Sequence, residues 1–254
     1  MIPISDLNPT QRKPVVNTLL IVLNIAAFLW EYSLIAGGAP WVIPGYGVVP
    51  RRLVADPLGE GFTVATSMFM HGGWTHLGGN MLFLYIFGDN VEDAIGRVRY
   101  ALFYAVCGVG AAVAQILIDP TSAIPMVGAS GAIAGVLGAY LVLYPRAPVT
   151  VLNPIPPLWF LLGLFVVFPA WLVVGEWFLW QLFSGVGSLG ANVGGGVAFF
   201  AHIGGFIAGL LLIRPAMAGR RKAPSSRWHG WQPPPGSRED RWHPPKADRW
   251  DRWQ

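Results

Sequence analysis

The chain has one cysteine, Cys107, set in an apolar block. A lone thiol excludes an intrachain disulfide and a cysteine-built metal site, and Cys107 reads as a buried, inert thiol. Charge is almost as scarce. Only 12% of residues are Asp, Glu, Lys or Arg, roughly half of what a soluble domain carries. That excludes an ordinary water-facing surface. The net charge of +4 comes largely from the C-terminal end, and the basic residues flank apolar segments, so nucleic acid is excluded as a partner. His71 and His76 invite a metal reading, but no H-E-x-x-H run supplies the carboxylate that such a site needs. No metal and no cofactor is expected.

What the chain does have is apolar length. Hydrophobic residues make up 54% of it, gathered in blocks long enough to cross about 30 Å of hydrocarbon at about 1.5 Å per residue. The blocks predict an all-α polytopic membrane protein with spans at 15–36, 75–94, 100–118, 128–144, 158–179 and 197–213. The expected organisation is an N-terminal segment 1–14, a membrane domain 15–215 and a tail 216–254. The tail repeats Arg-Trp at Arg227-Trp228, Arg241-Trp242, Arg249-Trp250 and Arg252-Trp253 among prolines. Such a composition cannot bury a core and predicts a disordered cytoplasmic tail, with loose contact to the cytoplasmic leaflet, no specific role, or a protein-docking role as its readings. The first span contains Asn24 and Glu31 and lacks a small-x-small cleavage site, so it is read as retained rather than as a signal peptide.

Lys and Arg set the orientation. Arg12 and Lys13 precede the first span, Arg97 and Arg99 separate the second and third, Arg146 separates the fourth and fifth, and Arg214, Arg220, Arg221 and Lys222 follow the sixth. The loops after the third and fifth spans have neither residue. Both termini are therefore expected in the cytoplasm, with Arg51 and Arg52 of the first loop as the exception. That loop, 37–74, carries Trp41, Val42, Ile43, Leu53 and Val54 among its Gly and Pro, and reads as an interfacial or partly inserted element.

In this orientation spans two, four and six all begin at the outer face. Each begins with a group that lipid disfavours: His76-x-x-x-Asn80, Gly128-Ala129-Ser130-Gly131, and Ala201-His202-x-x-Gly205-x-x-x-Gly209. A polar or charged group at the bilayer centre costs about 3 kcal/mol on insertion scales, so such groups tend to be kept for function. His76 and Asn80 share a helix face. Gly131 with Gly135, and Gly205 with Gly209, are small-x-x-x-small pairs that let backbones approach closely. Spans four and six can then bring Ser130 to His202. A serine hydroxyl needs a base to become a nucleophile, His202 suits that role, and the helix start at Ser130 favours an oxyanion. Each element alone has a plainer reading. Small residues pack helices, a histidine bonds a carbonyl or relays protons, and His76 with Asn80 bridges helices. A proton-conducting channel or small transporter remains a further reading, as does a catalytically inactive membrane-protein binder.

At these residues the sequence resembles the rhomboid family of intramembrane serine proteases. The resemblance covers about 15–213 and rests on Gly128-Ala129-Ser130-Gly131, on His202 with Gly205 and Gly209, and on His76 with Asn80; His71 and Glu92 also fit it. It implies a six-transmembrane-helix rhomboid-like bundle with a water-filled cavity open to the outer face. It implies Ser130 as nucleophile, His202 as base, and His76, Asn80 and the Ser130 backbone N–H as the oxyanion hole. The dyad has no third carboxylate. The implied substrates are transmembrane proteins cut near the outer membrane face, at a small residue. A multi-pass place in a bacterial cytoplasmic membrane is expected.

Two departures stand out. Family members often stack an aromatic, four residues after the nucleophile, on the base; here that residue is Ala134, so an aromatic from a neighbouring helix is expected to position His202. The first loop lacks a clear Trp-Arg pair, which leaves Arg51-Arg52 to anchor it. Pro169 inside the fifth span predicts a kink, read either as part of a lateral opening formed with the segment 184–196 or as a static bend.

Overall fold

The computed structural model describes residues 1–153, 156–159, 163–188 and 198–220. Six long helices carry the fold among these residues: α1 (Val15–Ala36), α2 (Trp74–Ile95), α3 (Arg97–Ile118), α4 (Ser130–Leu143), α5 (Ala170–Ser188) and α6 (Phe199–Ala216). Three of them, α1, α3 and α6, are long and apolar enough to cross a membrane, and α4 is a shorter apolar helix. The tail beyond 220 and residues 189–196 of the segment read as part of a lateral opening lie outside the described residues.

The packing is inverted relative to a water-soluble bundle. The buried positions of α1 are Asn17, Asn24, Phe28 and Glu31, while Leu19, Val22, Leu23, Leu29 and Trp30 point outward. A helix that hides its polar stripe and displays its apolar one is matched to hydrocarbon, not to water. α4 is buried at every residue from Gly131 to Tyr140, as expected of the central helix of a bundle.

α4 is crossed closely by α6, and glycines make this possible. A Cβ on Gly205 would fall onto the Gly131 carbonyl oxygen, and one on Gly209 onto that of Gly135. The two small-residue pairs read from the sequence therefore face each other, each matching the other's bare backbone.

Glu92 acts in the frame. α1 starts after Pro14, whose side chain cannot cap it. Instead the buried Glu92 carboxylate of α2 accepts from the N–H of Val16 (3.1 Å) and of Asn17 (2.7 Å). A carboxylate is well suited to a helix start because it meets both orphan donors and the dipole. Glu92→Ala removes the acceptor of both N–H donors and is expected to cost about 1–3 kcal/mol, read as a lowered thermal midpoint in detergent. An unchanged midpoint would remove Glu92 from the frame.

A small sheet qualifies the all-α expectation. Strands β1 (Ile2–Asp6), β2 (Pro148–Leu152) and β3 (Phe165–Pro169) pair antiparallel in the order β1-β2-β3. Val149 and Val151 of β2 are fully buried in the core. The sheet also corrects the fifth span. Residues 165–169 are extended, and the helix starts at Ala170 rather than near 158. Phe165-Val-Val-Phe is a β-branched and aromatic run that fits a strand. Pro169 pairs with Pro148 at the strand ends, where neither missing N–H is needed. It precedes the first turn of α5, so it produces no kink.

Asp6, at the end of β1, accepts hydrogen bonds from Tyr140 Oη (2.6 Å) and Asn90 Nδ2 (2.9 Å). Burial pushes its carboxyl up to about 7, opposed by the Tyr140 bond and reinforced by Asp89. The folded chain then holds a proton that the unfolded chain gives up near pH 4, so this contribution to stability is full below about pH 4 and is lost as pH rises through about 7. Asp6→Asn is expected to raise the thermal midpoint at pH 8 and to leave it nearly unchanged at pH 4, an effect on the order of a few kcal/mol. Parallel midpoint-against-pH curves would contradict this.

The first loop is built from short helices at Val42–Tyr46, Pro50–Ala55, Pro57–Glu60 and Thr63–Thr66. Arg52 staples it: Nε donates to Glu60 Oε1 (2.9 Å) and Nη1 to the Pro44 carbonyl (2.7 Å).

Candidate active site

Three helix starts meet at the end of the bundle opposite the sheet. Ser130 is the first residue of α4. The chain reaches it through Gly128, whose φ of +125° suits glycine and whose N–H donates to the Ser67 carbonyl (2.8 Å). A Cβ on Gly128 would stand 2.7 Å from His76 Nε2 and 3.5 Å from Ser130 Oγ. Only a bare Cα leaves room between the imidazole and the hydroxyl. The first intrahelical bond of α4 is Ile133 N–H to the Ala129 carbonyl, so the N–H groups before it have no acceptor within the helix.

His202 lies in the first turn of α6, and its Nε2 is 2.7 Å from Ser130 Oγ. Its Nδ1 is 2.8 Å from Gln181 Oε1 of α5. His202 and Gln181 are both 8% exposed. An amide oxygen only accepts, so Nδ1 carries the proton and the Nε2 lone pair receives the serine O–H. Trp177, one turn before Gln181, stands 5.9 Å from the His202 ring, centroid to centroid, with the planes tilted by 39°. The aromatic expected from a neighbouring helix in place of Ala134 is Trp177.

His76 and Asn80 lie in the first two turns of α2. The Gly72 N–H donates to His76 Nδ1 (3.3 Å), which leaves the proton on Nε2, the nitrogen nearest Gly128. Asn80 is buried, and its Nδ2 has no hydrogen-bond partner among the described residues. A buried amide donor left unpaired costs about 1–3 kcal/mol, so this one is free to meet an acceptor that enters the site. His71 supports this corner. Its N–H donates to Glu31 Oε2 of α1 (2.9 Å), its Nδ1 to the Phe69 carbonyl (3.2 Å), and its ring meets His76 edge-on at 5.2 Å. A cavity of about 40 Å³ next to Ser130, also lined by Ser67, Met126, Gly128 and Ala198, has room for water.

The structure thus joins Ser130 to His202 and sets His76 beside Gly128. Glu92, Gly205 and Gly209 serve the frame. Sequence reasoning missed Gln181 because the fifth span was ended at 179. A polar residue one turn from Trp177 in an apolar helix was the available signal. It also passed over the role of Glu31, and it expected an aromatic beside His202 without naming Trp177.

A family model described as Rhomboid domain matches residues 58–218. RHOMBOID-like protein 4 of Arabidopsis thaliana is 33% identical over 184 residues, 67% of this chain and 39% of that protein. Rhomboid protease AarA of Providencia stuartii is 27% identical over 76% of this chain and 69% of its own length. Rhomboid protease GluP of Bacillus subtilis is 36% identical over 51% of this chain and 24% of its own. Against the plant protein and the Bacillus protease, the match therefore spans less than half of the relative. With its matched domain reaching from the first loop to the end of α6, this chain belongs to the rhomboid family.

Proposed function

We propose that this chain is an intramembrane serine endopeptidase that cuts transmembrane proteins near the outer membrane face, with Ser130 as nucleophile and His202 as base. The observation that carries the reading is the 2.7 Å contact between Ser130 Oγ and His202 Nε2. In this reading all six long helices cross the membrane, with both termini on the cytoplasmic side of a bacterial membrane. The catalytic helix starts then sit just beneath the outer face, where water reaches them.

The chemistry runs in two halves. Nε2 takes the hydroxyl proton as Oγ attacks the scissile carbonyl carbon. The carbonyl π pair moves onto oxygen, and that oxyanion lies within reach of the Ser130 N–H, Asn80 Nδ2 and His76 Nε2–H. The tetrahedral species collapses, the C–N bond breaks, and Nε2–H gives its proton to the leaving amine. A water then gives its proton to Nε2 as its oxygen attacks the acyl ester; the ester C–O bond breaks, Nε2–H returns the proton to Oγ, and the acid and Ser130 are freed. A peptide inside a helix hides its carbonyl, so substrates need a locally loosened helix next to a small residue. Cleavage of a transmembrane reporter in liposomes by the parent, and its loss in Ser130→Ala, tests the reading; cleavage that survives Ser130→Ala contradicts it. The inactive-binder alternative predicts no covalent labelling by a fluorophosphonate.

A further inference from the structure

Two groups suffice for the proposed dyad, yet His202 is held by four. Oγ of Ser130 lies at Nε2, Trp177 lies beside the ring, the α6 backbone carries it, and Gln181 lies at Nδ1. The Gln181 contact needs an explanation, because a long polar side chain buried on an apolar helix is costly to keep. α5 comes close enough to make the contact at Gly185, one turn after Gln181. A Cβ there would sit 3.2 Å from Phe199 Cβ at the start of α6.

We infer that Gln181 is the positioning residue for the base: its amide oxygen keeps the proton on Nδ1 and so keeps the Nε2 lone pair facing Ser130. The inference rests on the protease reading. Without an acceptor at Nδ1, the buried ring gains by moving its proton to Nε2. That tautomer points an N–H at Ser130 Oγ and cannot take the hydroxyl proton, which leaves the nucleophile without a base. The same contact serves the second state of the cycle. Once Nε2 has taken the proton, imidazolium has two N–H donors, and Gln181 Oε1 accepts the one that faces away from the reaction. Because the acceptor is a neutral amide, it fixes the tautomer without adding a negative charge beside the ring. Trp177 and Gln181 are four residues apart on one face of α5, so both supports of the ring come from a single helix. His202 is therefore set as a base only while α5 lies against α6.

The test uses the full chain in liposomes with a cleavable transmembrane reporter. Parent, Ser130→Ala, Gln181→Leu and Gln181→Glu are compared for kcat, KM and the pH profile of kcat/KM. Gln181→Leu keeps the volume and removes the acceptor; kcat is expected to fall about tenfold or more with KM little changed. Gln181→Glu restores an acceptor and adds charge. It is expected to keep most of the activity above neutral pH and to move the acidic limb of the profile upward by about one unit or more. A side chain that only packed α5 against α6, without facing Nδ1 during turnover, would not move that limb. Full kcat in Gln181→Leu, or an unmoved limb in Gln181→Glu, overturns the inference. The two readings fail separately. Cleavage by Ser130→Ala sinks the protease reading, whereas a silent Ser130→Ala beside a full-speed Gln181→Leu sinks only the role of Gln181.

Discussion

Ser130→Ala is expected to lower cleavage of a transmembrane reporter by at least about 10⁴-fold, and His202→Ala by a similar factor. In the proposed mechanism both changes remove a reacting group and disturb little else. Ser130 begins a helix whose position is set by the glycine contacts with α6, and alanine keeps the helix start. His202 sits between Gln181 and Ser130, and its loss leaves a polar hole but does not break the crossing of α4 and α6. The double variant should be no slower than either single one, because nucleophile and base act in one step. Circular dichroism and thermal midpoints close to the parent's would show that the fold survives. Parent-like rates in either single variant would contradict the assignment.

Asn80→Ala is the second large effect. Asn80 offers a buried amide donor with no partner among the described residues. A donor aimed at charge that exists only in the transition state affects kcat more than substrate affinity. The expected loss is about 10²- to 10³-fold in kcat, with KM nearly constant. Residual activity should remain, since His76 and the Ser130 N–H still face the oxyanion. A parallel rise in KM with unchanged kcat would instead mark Asn80 as a substrate contact. Asn80→Ala should also leave the protein at least as stable as the parent, because an orphaned polar group is removed from a buried place.

The reach of sequence reasoning differed between the two ends of the bundle. α1, α2, α3, α4 and α6 were legible because each combines an apolar run with a clear break. α1 starts after Pro14, Gly96 separates α2 from α3, and Gly128 precedes α4. The pairing of α4 with α6 followed from the glycine spacing, since small residues four apart have one physical use in an apolar helix. The sheet was not legible. β2 and β3 are apolar β-branched runs next to a helix of the same composition, and hydropathy alone cannot separate a buried strand from a span. That confusion placed the fifth span too early and left Gln181 outside it. A missed strand thus hid a site residue. Glu31 was visible as a charge inside the first span and Glu92 as a residue that fits the family, but their use as acceptors for the backbone of another element depends on tertiary contacts that no local pattern encodes.

The most direct measurement is covalent labelling of the purified parent with a fluorophosphonate, followed by mass-spectrometric mapping of the adduct. A serine whose proton is drawn to His202 should carry the phosphonate on Ser130, and labelling should vanish in His202→Ala. An intact, correctly folded chain that takes no label, or takes it on a serine other than Ser130, would contradict the assignment of nucleophile and base.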